Sequence, residues 1–383
     1  MSRFIVFILI YLSIYGGAHG YAYWKLKKGF ALGWLNSWLL ALLMALMVAA
    51  PVATRIAERH GHELFSRVTA AVGYSWMGFV FLFITTCILF DGYRAVLWLI
   101  RQLGPWDLIA CIPSYGFSCW VSVCLAAAIM FYGFFEARSI RLEHIQIPSH
   151  KIAQNGGSIR IAQISDVHLG ILVGRDRLQR ILQRVKQAKP DILVSTGDLV
   201  DGEMVHMERL AEMIRAVATP YGKYAVTGNH EFYAGLEKSL QFTRDAGFRV
   251  LRGESVVLKN GVNIAGVDDP ARPYRKSGND FEKALLSTLP RSGFTLYLKH
   301  QPVIDGSTLG LFDLQLSGHT HNGQIFPFSL VTKLFYSMPS GLTELDKGSL
   351  LYVSRGSGTW GPPVRFLSPP EVTLIELTHY PPK

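Results

Sequence analysis

Ile159-Arg160-Ile161-Ala162-Gln163-Ile164-Ser165-Asp166-Val167-His168 is a short apolar run that ends on an acid and an imidazole. It reads as a strand over Ile159–Ser165 with Asp166 at its carboxyl end. The same grammar recurs downstream. Asp191–Thr196 leads into Gly197-Asp198, Lys223–Thr227 into Gly228-Asn229-His230-Glu231, Thr295–Lys299 into His300, and Leu314–Ser317 into Gly318-His319-Thr320-His321. Helical patterns, about Arg175–Ala188 and about Met204–Ala218, separate the first three strands. A βαβαβ run predicts a largely parallel sheet with right-handed crossovers. Closely spaced strands over about Arg249–Val267 read as antiparallel.

Open α/β sheets place their ligand sites beyond the carboxyl ends of the strands. Asp166, Asp198, Asn229, His300 and His319 all stand at predicted strand ends. Glycines 197, 228 and 318 fit tight turns just before them, where a side chain would crowd the site. Every candidate ligand is Asp, Asn or His, a donor set suited to Mn, Fe or Zn. Two such ions side by side lower the pKa of a shared water toward neutrality and neutralise a phosphoryl group under attack. Asp-x-His or Gly-Asp alone is common by chance. The ordered set of five motifs is not.

The set resembles the calcineurin-like metallophosphoesterase superfamily over about Ser158–Leu377. The tail Arg355-Gly356-Ser357-Gly358-Thr359-Trp360-Gly361-Pro362, followed by Arg365-Phe366 and Pro370-Glu371, is similar to the membrane-anchored bacterial branch, related to UDP-2,3-diacylglucosamine pyrophosphatases. The resemblance implies an α/β fold, a four-layer αββα sandwich of two mixed sheets. It implies that Asp166, His168 and His321 hold one divalent metal, and Asn229, His300 and His319 a second. Asp198 would bridge the two, since a two-oxygen anion can span a pair of cations. His230 would not bind metal but would serve the phosphoryl oxygen or the leaving group. The implied reaction is hydrolysis of a phosphodiester or pyrophosphate by a metal-bridging hydroxide. A UDP-2,3-diacylglucosamine-type lipid A precursor or another phospholipid-like molecule would be the substrate.

Other residues carry weaker expectations. Glu231 is read either as orienting a ligand imidazole or as a plain helix-start acid. Asp268-Asp269-Pro270 reads as a turn with some reach to the site. Phe232 and Tyr233 are candidates to wall the pocket, and Phe326–Tyr336 is a candidate apolar lid or ordinary core. Arg365 reads as a structural salt bridge sooner than a phosphate ligand. His60 and His62 read as solvated, and His206 is assigned nothing.

Composition divides the 383 residues near position 136. Before it Trp, Phe, Leu and Ile dominate; after it strands and helices alternate. This predicts a transmembrane anchor over 1–135, a polar connector over 136–155 and the phosphoesterase domain over 156–383. About four spans are expected: Phe4–Trp24, Gly33–Ala53, Thr69–Phe90 and Asp107–Phe135, the last interrupted by Pro113 and Gly116. Arg3 and the small Ala18-His19-Gly20 also fit a cleaved signal peptide, but three further spans follow. A multi-pass protein of the bacterial inner membrane is expected. Six basic residues against five lean the catalytic domain to the cytoplasm.

The net charge of +10 is scattered, with no basic block for nucleic acid; it fits anionic headgroups or a phosphorylated substrate. No nucleic acid and no obligate protein partner is expected. All four cysteines lie in the apolar half, which argues against a disulfide framework. Two alternatives stand beside the lipid phosphoesterase. One is a general phosphomonoesterase or protein phosphatase on the same metals. The other is a metal-binding membrane sensor without turnover.

Overall fold

The computed structural model describes residues 9–104, 106–152, 157–202, 207–271 and 279–380. The chain forms two compact units, Met1–Phe135 with Gly361–Val364, and Glu136–Trp360 with Arg365–Lys383.

The first unit is helical. Among the described residues, three helices are long and apolar enough to cross a membrane: Trp34–Arg59, Glu63–Leu103 and Ile109–Glu136. The last of these opens with a single 3-10 turn, Ile109–Cys111, before the helix proper at Tyr115–Glu136. The expected first span, Phe4–Trp24, begins outside the described residues. Its described part runs through a π-turn at Leu12–Gly16 into the helix Gly17–Gly29. The helix Glu63–Leu103 outruns the expected 69–90 at both ends. At 41 residues it measures about 60 Å, twice a bilayer core. Polar groups pin it: Asp91 takes hydrogen bonds from Tyr21 and Lys25 and an ion pair from Arg94. All four cysteines are free.

The second unit is an α/β sandwich. One sheet has the order β1-β12-β2-β3-β4-β5, the other β10-β11-β9-β8-β7-β6, with β10 at Gly341–Glu344 and β11 at Leu350–Val353. In the first, β2 (Ile159–Ile164), β3 (Ile192–Ser195), β4 (Lys223–Ala225) and β5 (Arg249–Val250) run parallel, as the βαβαβ pattern predicts. β12 (Glu371–His379) lies antiparallel to β2. In the second, β7 (Val262–Gly266), β8 (Phe294–Leu298) and β9 (Leu314–Ser317) are parallel. β6 (Glu254–Val257) is antiparallel to β7. The stretch 249–267 is therefore antiparallel only between β6 and β7, because β5 crosses to the other sheet.

Strand alternation builds the layers. Ile159, Ile161, Ile192 and Val194 pack with Ile264, Leu296, Leu298, Leu314 and Leu316 between the sheets. Ala162, Ile164 and Leu193 face the other way, onto Leu178, Ile181 and Val185 of the helix Arg175–Ala188 and Ile214 of the helix Glu208–Arg215. Ala265 and Tyr297 turn outward onto Leu286 of the helix Asn279–Ser287. The expected 204–218 helix is seen as Glu208–Arg215; residues 203–206, with His206, lie outside the described ones.

Residues 136–155 are more than a connector. They carry β1 (Arg141–Ser149), which pairs parallel with β12 along its whole length. As an edge strand it buries Ile147 and leaves alternate residues outward, so its composition looks like a linker's.

Candidate metal centre

Five loops leaving β2, β3, β4, β8 and β9 meet at one end of the two sheets. Each delivers a predicted residue, and all eight come together. The His168 and His321 Nε2 atoms stand 3.0 Å apart, and His321 Nε2 is 3.5 Å from Asp166 Oδ1. His300 Nε2 lies 3.2 Å from His319 Nδ1 and 3.3 Å from Asn229 Oδ1. Between these clusters sits the Asp198 carboxylate, with Oδ2 3.3 Å from His300 Nε2 and 3.8 Å from His168 Nε2. Asp166/His168/His321 and Asp198/His300/His319 each bring three donor atoms within 4.8 Å of one another, as do His168/Asp198/His230.

Local backbone makes this convergence possible. Asp166, His168, Asp198, His319 and His321 all have φ between 48° and 70°. Left-handed backbone at a non-glycine residue costs about 1–2 kcal/mol each and clusters where function demands it. Two glycines leave the loops room to close. A Cβ at Gly318 would strike the Ser165 hydroxyl and the Asp166 carboxylate, and one at Gly228 would strike the Asp198 carboxylate.

Burial sets the charges. It pushes the Asp166 carboxyl up to about 6, helped by the Asp198 charge and opposed by His300. Burial pushes Asp198 the same way, but the imidazoles of His300, His168 and His230 outweigh it and hold the acid below the usual carboxylate range. Desolvation lowers His168 to about 4 and His319 to about 3, and with the Arg365 guanidinium it holds His321 well below its usual value. Three imidazoles therefore keep free lone pairs at neutral pH. His300 resists its burial and is raised, because Asp198 lies beside it. Its Nδ1 is 2.7 Å from the Thr196 carbonyl, which accepts that ring hydrogen and aims Nε2 inward, where a bound cation would take the place of its second proton. The donor set is nitrogen and oxygen only, with two carboxylates and paired lone pairs that repel unless a cation lies between them. The residues fit a dinuclear metal site.

His230 packs against the candidate ligands, its ring 4.6 Å from that of His168, but it has a carboxylate partner of its own. Its Nδ1 is 3.0 Å from Asp201 Oδ1. Burial works to lower its pKa, but Asp201 and Asp198 raise it. Its ring lies 5.5 Å from that of Tyr233 and 5.7 Å from that of Trp360, both of which are exposed. Tyr233 thus walls the mouth, while Phe232 is half-buried. Asp201 was not anticipated; the Gly-Asp-x-x-Asp spacing was its only signal.

Glu231 ties two of the loops. One carboxylate oxygen accepts the N–H groups of Gly228 (2.6 Å) and Asp198 (3.0 Å), and the other accepts Leu199 (2.7 Å). It both closes the start of the helix Asn229–Tyr233 and holds the Asp198 loop. Glu231→Ala would orphan three buried N–H groups. At roughly 1–3 kcal/mol for an unsatisfied group, a loss of about 3 kcal/mol or more is expected. Thermal unfolding of the purified chain in detergent reads this directly, and an unchanged midpoint would contradict it.

Among the described residues, Arg365 pairs with no carboxylate, so the expected salt bridge is not formed. It is fully buried and donates to the carbonyls of Gly358 (2.6 Å), Arg355 (2.6 Å) and Ser368 (3.2 Å), with Nη2 3.1 Å from His321 Nδ1. It holds the 355–358 loop and the His321 ring together. Asp268 belongs to a structural ion pair with Arg252 and accepts from Thr227. Asp269 reaches the site indirectly: Gln301 donates to it, and Tyr336 Oη bonds Gln301 and lies 2.8 Å from His319 Nε2. His60 and His62 are exposed in the helical unit.

A family model described as calcineurin-like phosphoesterase matches residues 159–323. An uncharacterized metallophosphoesterase of Aquifex aeolicus (strain VF5) is 40% identical over 257 residues, covering 66% of this chain and 97% of that relative. An uncharacterized metallophosphoesterase of Helicobacter pylori (strain 26695) is 36% identical over 222 residues, 57% of this chain and 60% of its own. A transmembrane protein with metallophosphoesterase domain from Danio rerio is 32% identical over 271 residues, 67% of this chain and 62% of its own. The chain thus spans nearly all of the first relative and about three-fifths of the other two. With that coverage, and a match that runs from β2 through the His319–His321 turn, this chain belongs to the calcineurin-like metallophosphoesterase family.

Proposed function

We propose that this chain is a membrane-tethered, dinuclear metal hydrolase that cleaves a phosphodiester or pyrophosphate in a lipid or nucleotide-lipid. The observation that carries it is the convergence of two three-residue donor clusters on the Asp198 carboxylate. Asp166, His168 and His321 would hold one divalent ion, Asn229, His300 and His319 the other, and Asp198 both. When bound, the ions supply an activated water at neutral pH and screen the phosphoryl oxygens. His230 is left off the ligand set, because Asp201 holds its Nδ1. The other ring nitrogen can then carry a proton toward the departing oxygen, a role worth about 10²–10⁴-fold. Tyr233 and Trp360 flank that imidazole and would line the approach.

The membrane part of the reading rests on the three candidate spans. An amphiphilic substrate need not leave the bilayer to meet an enzyme tethered there. We place the chain in a bacterial inner membrane; the basic residues lean the catalytic unit to the cytoplasmic side when Phe4–Trp24 is a fourth span, and to the opposite side with the three spans alone. The UDP-2,3-diacylglucosamine class is one substrate to test among lipid phosphates.

Full-length protein in detergent is loaded in turn with Mn, Fe, Zn and Mg. It is then assayed on a model diester, a model monoester and a UDP-linked diacylglucosamine. Diester or pyrophosphate cleavage should exceed monoester cleavage. A preference for the monoester would favour the phosphomonoesterase alternative. Two bound metals with no hydrolysis of any substrate would favour the sensor.

A further inference from the structure

The helix Phe328–Phe335 is amphipathic in the inverted sense. Its polar residues Ser329 and Thr332, and Tyr336 just after it, are half-buried. Its apolar residues Phe328, Leu330, Val331, Leu334 and Phe335 are exposed, as is Phe326 before it; Leu334 is 81% and Phe335 77% accessible. A helix on a soluble domain does the reverse. A contiguous apolar face of this kind marks a surface that something else covers.

The helix is fixed on its polar side. Four residues separate it from the His321–Gly323 turn, and Gly323 (φ 74°) leaves no room for a side chain against Ser329. At its far end Tyr336 Oη meets His319 Nε2. The apolar face is therefore built onto the loop that carries both His319 and His321, at the rim of the metal centre.

We infer that this face seats in the interfacial layer of a phospholipid bilayer. Two further observations choose that occupant. The chain's own helices supply the bilayer, since the last candidate span ends at Glu136, where the catalytic unit begins. The charge pattern also fits. Between Asp313 and Glu344 the only Asp, Glu, Lys or Arg is Lys333, on the exposed side of this helix. A surface kept in water would carry more charge. One lysine among Phe and Leu suits an interface, where the stem lies along the apolar layer and the ammonium reaches anionic headgroups. Seated so, the helix would present the His319–His321 loop at headgroup depth, and an amphiphile's phosphate would arrive beside the metals without leaving the membrane. The seating itself does not rest on the proposed reaction.

The test uses the full chain in nanodiscs of phosphatidylethanolamine and phosphatidylglycerol, with Phe335→p-benzoylphenylalanine. Irradiation followed by intact-protein mass spectrometry identifies what the side chain touches. A phospholipid adduct is expected, at a yield about tenfold above the same probe placed at exposed Lys259, as for a side chain in the apolar layer instead of water. Leu334→p-benzoylphenylalanine should give the same adduct and guards against a local defect at 335. A crosslinked dimer would assign the face to a second copy and overturn the inference. So would an internal crosslink, equal lipid yields at 335 and 259, or no lipid adduct from either helix position. Because turnover is not read, failure here leaves the phosphoesterase reading standing, and failure of that reading leaves this one.

Discussion

Asp198→Asn lowers turnover on the order of 10³-fold, the scale of removing one stabilising group from a preorganised site. It also strips metal from the centre. The reason is geometric. Asp198 is the one carboxylate that both donor clusters share, with Oδ2 facing His300 on one side and His168 on the other. Its remaining oxygen accepts the His230 N–H at 2.8 Å. An amide of the same shape keeps that last bond, so the loop and the fold survive. What is lost is the negative charge between two would-be cations, in a site with nothing nearby to replace it. The Asp166 carboxylate is already committed to the His319 N–H. Hydrolysis of a model diester and elemental analysis should be made on one sample, with thermal unfolding as the fold control. Two retained metal equivalents together with wild-type activity would remove Asp198 from the bridging position.

Much of this centre was legible because its parts are local. An acid, amide or imidazole directly after a short apolar run is a strand end, and strand ends of an open sheet share one edge. All eight expected residues do meet there. What could not be read is set by contacts distant in sequence. β1 is a strand only because Glu371–His379, more than two hundred residues later, offers it an edge. β5 is two residues long and changes sheet, which no periodicity records. The left-handed backbone of Asp166, His168, Asp198, His319 and His321 was not legible either: Asp and His tolerate it better than most residues, but their presence alone does not call for it. Arg365 looked like half of an ion pair, yet its partners are backbone carbonyls of the 355–358 loop and of Ser368. The helix at 328–335 was open between core and lid. Only the structure shows that its apolar face is the outer one.

His230→Ala lowers the chemical rate by about 10²–10⁴-fold, the usual contribution of a positioned proton donor, while both metals remain. Loss of rate alone would not separate this role from a packing defect. The discriminating measurement is the dependence on leaving group. A proton delivered to the departing oxygen matters most when that oxygen is a strong base, and little when it leaves as a nitrophenolate. The variant should therefore lose far more rate on alkyl than on nitrophenyl diesters, steepening the leaving-group correlation. Asp201→Asn should move the slope in the same direction by less. It keeps the imidazole but weakens the 3.0 Å contact that fixes its Nδ1 and aims the other nitrogen into the site. A ligand role for His230 predicts a different pair of results: a metal equivalent lost at saturating metal, and equal losses on every ester. A role confined to filling space beside Tyr233 and Trp360 predicts a changed KM with an unchanged slope. The slope and the metal content together therefore decide whether the Asp201–His230 pair works on the leaving oxygen.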